Sequence, residues 1–129
     1  MPRLRVVAVA ARLPAWAERA CADYARRMPR GYAVERISLR KEPRDLAGCI
    51  ALDERGKDLT TRQFAALLGE ERTFVIGGAE GLSGELKKNA AQIVRLSSLT
   101  LPHALAQVVL LEQIYRAATL LTGHPYHRE

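Results

Sequence analysis

Aromatic residues make up only 5% of this 129-residue sequence, and acidic side chains are outnumbered, 14 Asp and Glu against 20 Lys and Arg. Cysteine is nearly absent. Cys21 and Cys49 are the only two, with no CxxC spacing and no His cluster nearby, so neither a disulfide framework nor a metal site is expected. Both thiols read as reduced, half-buried core residues. Long hydrophobic runs are missing too: the apolar run 6–11 is interrupted by Arg12 and Pro14, short of a secretory signal core. No stretch reads as the roughly 18 consecutive apolar residues of a membrane span. A cytoplasmic protein without membrane contact is expected. Internal repeats and low-complexity stretches are also lacking, and 48% hydrophobic residues over this length suit one globular domain spanning 1–129. The formal net charge of +6 makes the surface basic and a polyanionic partner a live hypothesis.

The hydrophobic pattern divides the chain into alternating short elements. Residues 4–10 form a β-branched apolar run without polar alternation, the signature of a parallel strand covered on both faces. Pro14 opens a helix through 28, with Trp16, Ala20, Tyr24 and Arg27 at helical spacing, closed by Pro29 and Gly31. Strands are predicted at 32–39, at 47–52 with a turn over 53–56, at 73–76 before Gly77-Gly78, and at 92–96. Thr60 or Thr61 can cap a helix through about 68 with Phe64, Leu67 and Leu68 buried, a short helix is predicted over 85–91, and the longest runs from 102 to about 122, ended by Gly123. Strands alternating with helices imply an α/β fold: a mostly parallel sheet with helices on both faces. One junction is too short for that rule. Only 40–46 separate the second and third predicted strands, where a parallel crossover needs a dozen residues or more, so either the crossover is bare or one of the two strands is misread.

Three segments could carry chemistry. Gly77-Gly78-Ala79-Glu80-Gly81 follows a hydrophobic strand at its carboxyl end, where open α/β sheets bind ligands and glycine lets a backbone approach closely. It matches neither GxGxxG nor a P-loop; a plain tight turn is the competing reading. Residues 96–103, LSSLTLPH, form a loop too apolar for an ordinary surface turn. It suits an adenine-sized ring held by main-chain groups, or simply packs under the last helix. The tail 122–129, TGHPYHRE, concentrates His124, Tyr126, His127, Arg128 and Glu129 where a frayed polar end would be the default. Side chains able to move a proton or grip a phosphate make it a candidate catalytic element. The last helix is apolar around much of its circumference, from Leu105 to Leu121, so a second copy of the chain is plausible on its outer side.

The runs FVIGGAEGL, LSSLTLPHAL, VVLLEQIYRA and HPYHRE, in that order, together with ALDERGK, resemble the RlmH family of SPOUT methyltransferases over nearly the whole chain. The resemblance implies a C-terminal trefoil knot, a homodimer, and transfer of methyl from S-adenosylmethionine to N3 of a pseudouridine in large-subunit (23S) ribosomal RNA, within the assembled ribosome. It implies that Leu52, Gly77, Gly78 and the loop residues Leu96, Ser97, Ser98, Leu99, Thr100 and Leu101 form the cofactor pocket. His103, Arg116, Tyr126, His127 and Arg128 would then place RNA and remove the N3 proton, without a metal. His127 is the preferred base because an imidazole titrates near neutrality, with Tyr126 or Glu129 behind it. Family members place another helix between the second and third strands, which this chain lacks. A catalytically silent, dimeric RNA-binding relative is the alternative reading, and a small-molecule or nucleotide sensor a third.

Overall fold

A computed structural model describes residues 3–44 and 46–126. Five strands, β1 (Leu4–Val9), β2 (Val34–Leu39), β3 (Ile50–Asp58), β4 (Arg72–Gly77) and β5 (Gln92–Arg95), form one sheet in the order β2-β1-β4-β3-β5. Every strand pair is parallel, so the carboxyl ends share one edge. The helices are α1 (Ala15–Arg26), α2 (Thr61–Ala66), α3 (Gly84–Asn89) and α4 (His103–Thr122), with a 3₁₀ turn Leu67–Gly69 after α2. Alternation along β1 explains the layering. Leu4, Val6 and Ala8 point to the face covered by α1, α2 and α4, while Val7 and Val9 point to the face covered by α3. Both sides of the central strands are therefore apolar, as an unalternating sequence requires. Cys21 and Cys49 are fully buried on opposite faces, and desolvation raises both thiol pKa values.

Local chemistry accounts for the element ends. Thr60 caps α2 in a reciprocal box: its hydroxyl accepts from the Gln63 N–H at 3.1 Å, and the Gln63 side chain accepts from the Thr60 N–H at 2.9 Å. Gly123 ends α4 in the left-handed region, φ 75°, and the His124 N–H donates to Thr119 O at 3.0 Å. The buried side of α1 is Ala17 and Cys21 rather than the row begun by Trp16, which is 49% exposed. The helix packs on α4 as well as on the sheet, and Tyr24 joins that contact beside Tyr115. By length and mean hydropathy α4 does reach the dimensions of a membrane span, contrary to the reading of the sequence; its stripe from Ala104 to Thr119 is buried in the protein core.

Two expectations about the third strand change. It begins at Ile50, not 47, and 53–56 is a loop within the strand rather than its end: Val94 of β5 pairs with Leu52 and again with Lys57. A Cβ on Gly56 would lie 2.6 Å from the Val94 carbonyl carbon, so only glycine brings the chain back against β5. The crossover 40–49 is indeed bare. Its described residues carry no helix, Leu46 and Cys49 pack on the α3 face, and it is pinned by the Ser83 N–H donating to Glu42 Oε1 at 2.5 Å and the Gly48 N–H to Asn89 O at 3.1 Å. Ten extended residues reach about 33 Å, enough to return along the sheet and step the three strand spacings, about 14 Å, from β2 to β3.

Candidate functional site

At the carboxyl edge of β3, β4 and β5 lies a cleft of about 570 Å³, within the range of small-molecule sites. The resemblance-derived cofactor residues meet there. Leu52, Gly77 and Gly78 border it, as does the 96–101 loop except for Ser98. His103 and Ala106, from the first turn of α4, close the same wall. The loop is shaped locally: the Leu99 N–H donates to Ser97 Oγ at 2.9 Å, which turns the chain and leaves Leu99 76% exposed at the cleft.

The glycine turn is tighter against the protein itself than the sequence suggested. A Cβ on Gly77 would lie 2.7 Å from the Gly81 carbonyl carbon, and one on Gly78 would lie 2.2 Å from the Ala10 carbonyl oxygen at the end of β1. Ala10 is itself at φ 52°, unusual for a residue with a side chain. The two glycines let β4 end in a turn that folds back beside β1, and the cleft forms over that turn.

Among the described residues, those assigned to catalysis are not brought together in one chain. His103 borders the cleft, but Arg116 lies 13 residues further along α4, about 20 Å at the helical rise. Tyr126 returns to that far end: its hydroxyl donates to Glu112 Oε2 at 2.9 Å, its ring packs edge-on to Tyr115 with centroids 4.7 Å apart, and Arg116 lies over the ring at 5.3 Å. Arg116 also donates to Glu112 Oε2, from Nη2 at 2.7 Å and from Nε at 3.0 Å. Burial, then the bonds to Glu112 and Tyr24, push the Tyr126 pKa up, so its phenol stays protonated and is a poor base. The hydrogen bonds to the Glu112 carboxylate raise the Arg116 pKa against the opposing effect of burial. His127, Arg128 and Glu129 lie outside the described residues.

Sequence reasoning missed two groups. Asp53, Lys87 and Arg95 add charge to the cleft, and Glu112 organises the tail. Asp53 was hidden because DERG reads as a turn; Glu112 because a carboxylate in VVLLEQIYRA looks like one solvated position in an apolar helix.

Comparison with known proteins agrees with the geometry. The family model described as "Predicted SPOUT methyltransferase" matches residues 2–127. A ribosomal RNA large subunit methyltransferase H of Polynucleobacter asymbioticus is 47% identical over 146 aligned positions, covering 98% of this chain and 99% of that one. Its counterpart in Methylibium petroleiphilum is 43% identical over 155 positions with the same coverage. Against 129 residues, those alignments leave at least 17 and 26 positions of the relatives without a counterpart here. A Haemophilus influenzae Rd KW20 structure titled as that of a "probable methylase family protein" shares the fold at a TM-score of 0.62 and 10% identity, over 98% of this chain and 70% of that one. A Bacillus anthracis structure titled as that of a "putative RNA methyltransferase" superposes at a TM-score of 0.61 with 14% identity and 98% coverage of both. The parallel sheet, the cleft at its carboxyl edge and these matches agree: the chain belongs to the SPOUT methyltransferases, with relatives named ribosomal RNA large subunit methyltransferase H.

Proposed function

We propose that this chain, a single cytoplasmic domain acting as a homodimer, transfers methyl from S-adenosylmethionine to N3 of a pseudouridine in large-subunit ribosomal RNA, and that the C-terminal part of its chain forms the trefoil knot of the family. The observation that carries the reading is the cleft, where the glycine turn and the apolar loop meet at one sheet edge. Its shape suits the cofactor. Leu52, Ile76, Leu96 and Leu101 offer apolar walls to an adenine ring, and the main chain of 77–78 and 96–101 offers donors and acceptors. Bound there, the cofactor supplies a methyl group already made electrophilic by its sulfonium.

The protein's part is to hold the nucleotide in line and assist loss of its N3 proton. Arg116 and Arg128 grip phosphate, His103 borders the methyl donor's site, and His127 takes the proton. Because Arg116 lies about 15 Å along α4 from Ala106 at the cleft wall and Tyr126 docks beside it rather than at the cleft, each tail serves the partner's cleft, across an interface built on the outer stripe of α4. Leu105, 38% exposed, and the half-exposed Val109 support that interface. A two-fold contact is the commonest way to cover such a stripe. The test is radioactive methyl transfer to ribosomes lacking the modification, with the labelled nucleoside identified after digestion. Label in 3-methylpseudouridine is expected; cofactor binding without any transfer to ribosomes would overturn the assignment.

A further inference from the structure

One charged contact in the cleft has no role in the reaction as described. Lys87 on α3 donates from Nζ to Asp53 Oδ1 at 3.3 Å, across 34 residues of sequence, and both side chains border the cleft. They are 29% and 16% exposed, so this is not a freely solvated surface pair. Neither group is saturated among the described residues. The ammonium has three donors and Asp53 takes one; the carboxylate has about four lone-pair sites and accepts from Lys87 and, at Oδ2, from the Arg55 N–H at 2.9 Å. The pair is also held from both ends. Asp53 sits where the chain loops out of β3, and Leu82 and Leu86 fix α3 against the sheet.

Its place in the fold adds a direction. The 96–101 loop leads into α4, on one face of the sheet, whereas α3 covers the other. The cleft therefore crosses the strand ends from an apolar wall on the α4 side to a fixed plus-minus pair on the α3 side. We infer that Lys87 and Asp53 form a subsite for an α-amino-acid group, Lys87 donating to its carboxylate and Asp53 accepting from its ammonium, while the apolar loop takes the other end of the ligand. This rests on reading the cleft as the methyl donor's site, and it identifies which residues hold the donor's amino-acid end. An adjacent pair of opposite charges favours a zwitterion over a bare phosphate, because a lone anion attracted by Lys87 is repelled by Asp53. The other charged groups there fit less well. Arg95 is engaged by Asp58, from Nε at 2.8 Å and Nη2 at 2.5 Å, Arg55 is exposed to solvent on the 53–56 loop, and Glu54 or Glu80 could meet only the ammonium half.

The experiment is calorimetric binding to the full chain of two ligands: S-adenosylhomocysteine, and 5′-methylthioadenosine, which keeps the adenosine and sulfur but lacks the amino-acid group. In the unaltered protein the first is expected to bind at least about tenfold tighter, the scale of losing charge-assisted hydrogen bonds. Lys87→Met and Asp53→Asn are expected to weaken S-adenosylhomocysteine about 10- to 100-fold and leave methylthioadenosine unchanged. The melting temperature of each unliganded variant reports whether the fold is intact. Equal affinity of the two ligands for the unaltered chain, or equal weakening of both in folded variants, overturns the subsite and leaves the cleft reading standing. No binding of either ligand to the unaltered chain overturns the cleft reading and the subsite with it.

Discussion

The two ends of α4 do different work. At its start, His103 and Ala106 wall a cleft built by strand ends and tight turns, where backbone shape dominates. Toward its finish, Glu112, Tyr115 and Arg116 hold Tyr126 by charge, hydrogen bonds and ring packing. One end borders a cleft of small-molecule size; the other holds Tyr126, where the sequence begins its candidate catalytic residues. The difference teaches that, on the proposed function, binding and turnover should be separable by substitution, because the two ends of α4 use different residues.

The largest effect expected is from deleting residues 126–129. Cofactor affinity measured by calorimetry should stay near that of the full chain, while methyl transfer to ribosomes falls by about 10² to 10⁴, the usual cost of losing a general base. Within the tail, His127→Ala should lower mainly the rate and Arg128→Ala mainly RNA affinity, with a shallower dependence of binding on salt as a phosphate contact is lost. A truncated chain that methylates at the full rate would erase the distinction between the two ends.

At the cleft end, Gly78→Val should abolish cofactor binding and also destabilise the unliganded chain by about 1 to 3 kcal/mol, because the new side chain meets backbone rather than open space. Sequence reasoning predicts occlusion of the pocket without unfolding; the Ala10 carbonyl, 2.2 Å from a Cβ at position 78, is the reason stability should fall as well. Denaturant titration with and without ligand separates the two losses. Val109→Arg, midway along the outer stripe of α4, should convert dimers to monomers by burying an unpaired charge, which light scattering reads directly. If the tails serve the partner's cleft, the monomers keep cofactor binding and lose transfer.

The smallest effect concerns pH at the tail end. The Tyr126 pKa is raised in the folded chain, so its contribution to stability is fully present below the ordinary tyrosine value, about 10, and is lost as pH rises through the folded value. Alkaline titration followed by tyrosine absorbance should therefore show one late phenol, absent in Tyr126→Phe and shifted back toward the ordinary value in Glu112→Gln. A fully normal Tyr126 would mean the tail is not docked on α4 in solution.

Much of the fold was legible because period-two and period-3.6 patterns report burial directly. β1, β4 and β5 fall within a residue or two of their expected places, as does α4, and the Thr60 cap and the Gly123 stop are where their chemistry requires. The site was legible in part, since the glycine turn and the apolar loop look unlike surface turns. What escaped were features that need two distant segments at once. The 53–56 loop within β3 depends on pairing with Val94, the buried row of α1 depends on α4, and the Asp53–Lys87 contact joins residues on separate elements.

By itself, then, the sequence determined the element order, the parallel sheet and the basic composition, which follow from local pattern and residue counts, and it carried the motifs whose resemblance to the SPOUT methyltransferases the family match bears out. Tertiary structure alone decided that β4 inserts between β1 and β3, that a bare crossover suffices to join β2 to β3, and that Tyr126 docks on Glu112 and Tyr115 rather than at the cleft of its own chain. These are properties of packing. Each is fixed by free energy shared among residues far apart in sequence, and no window along the chain contains both partners.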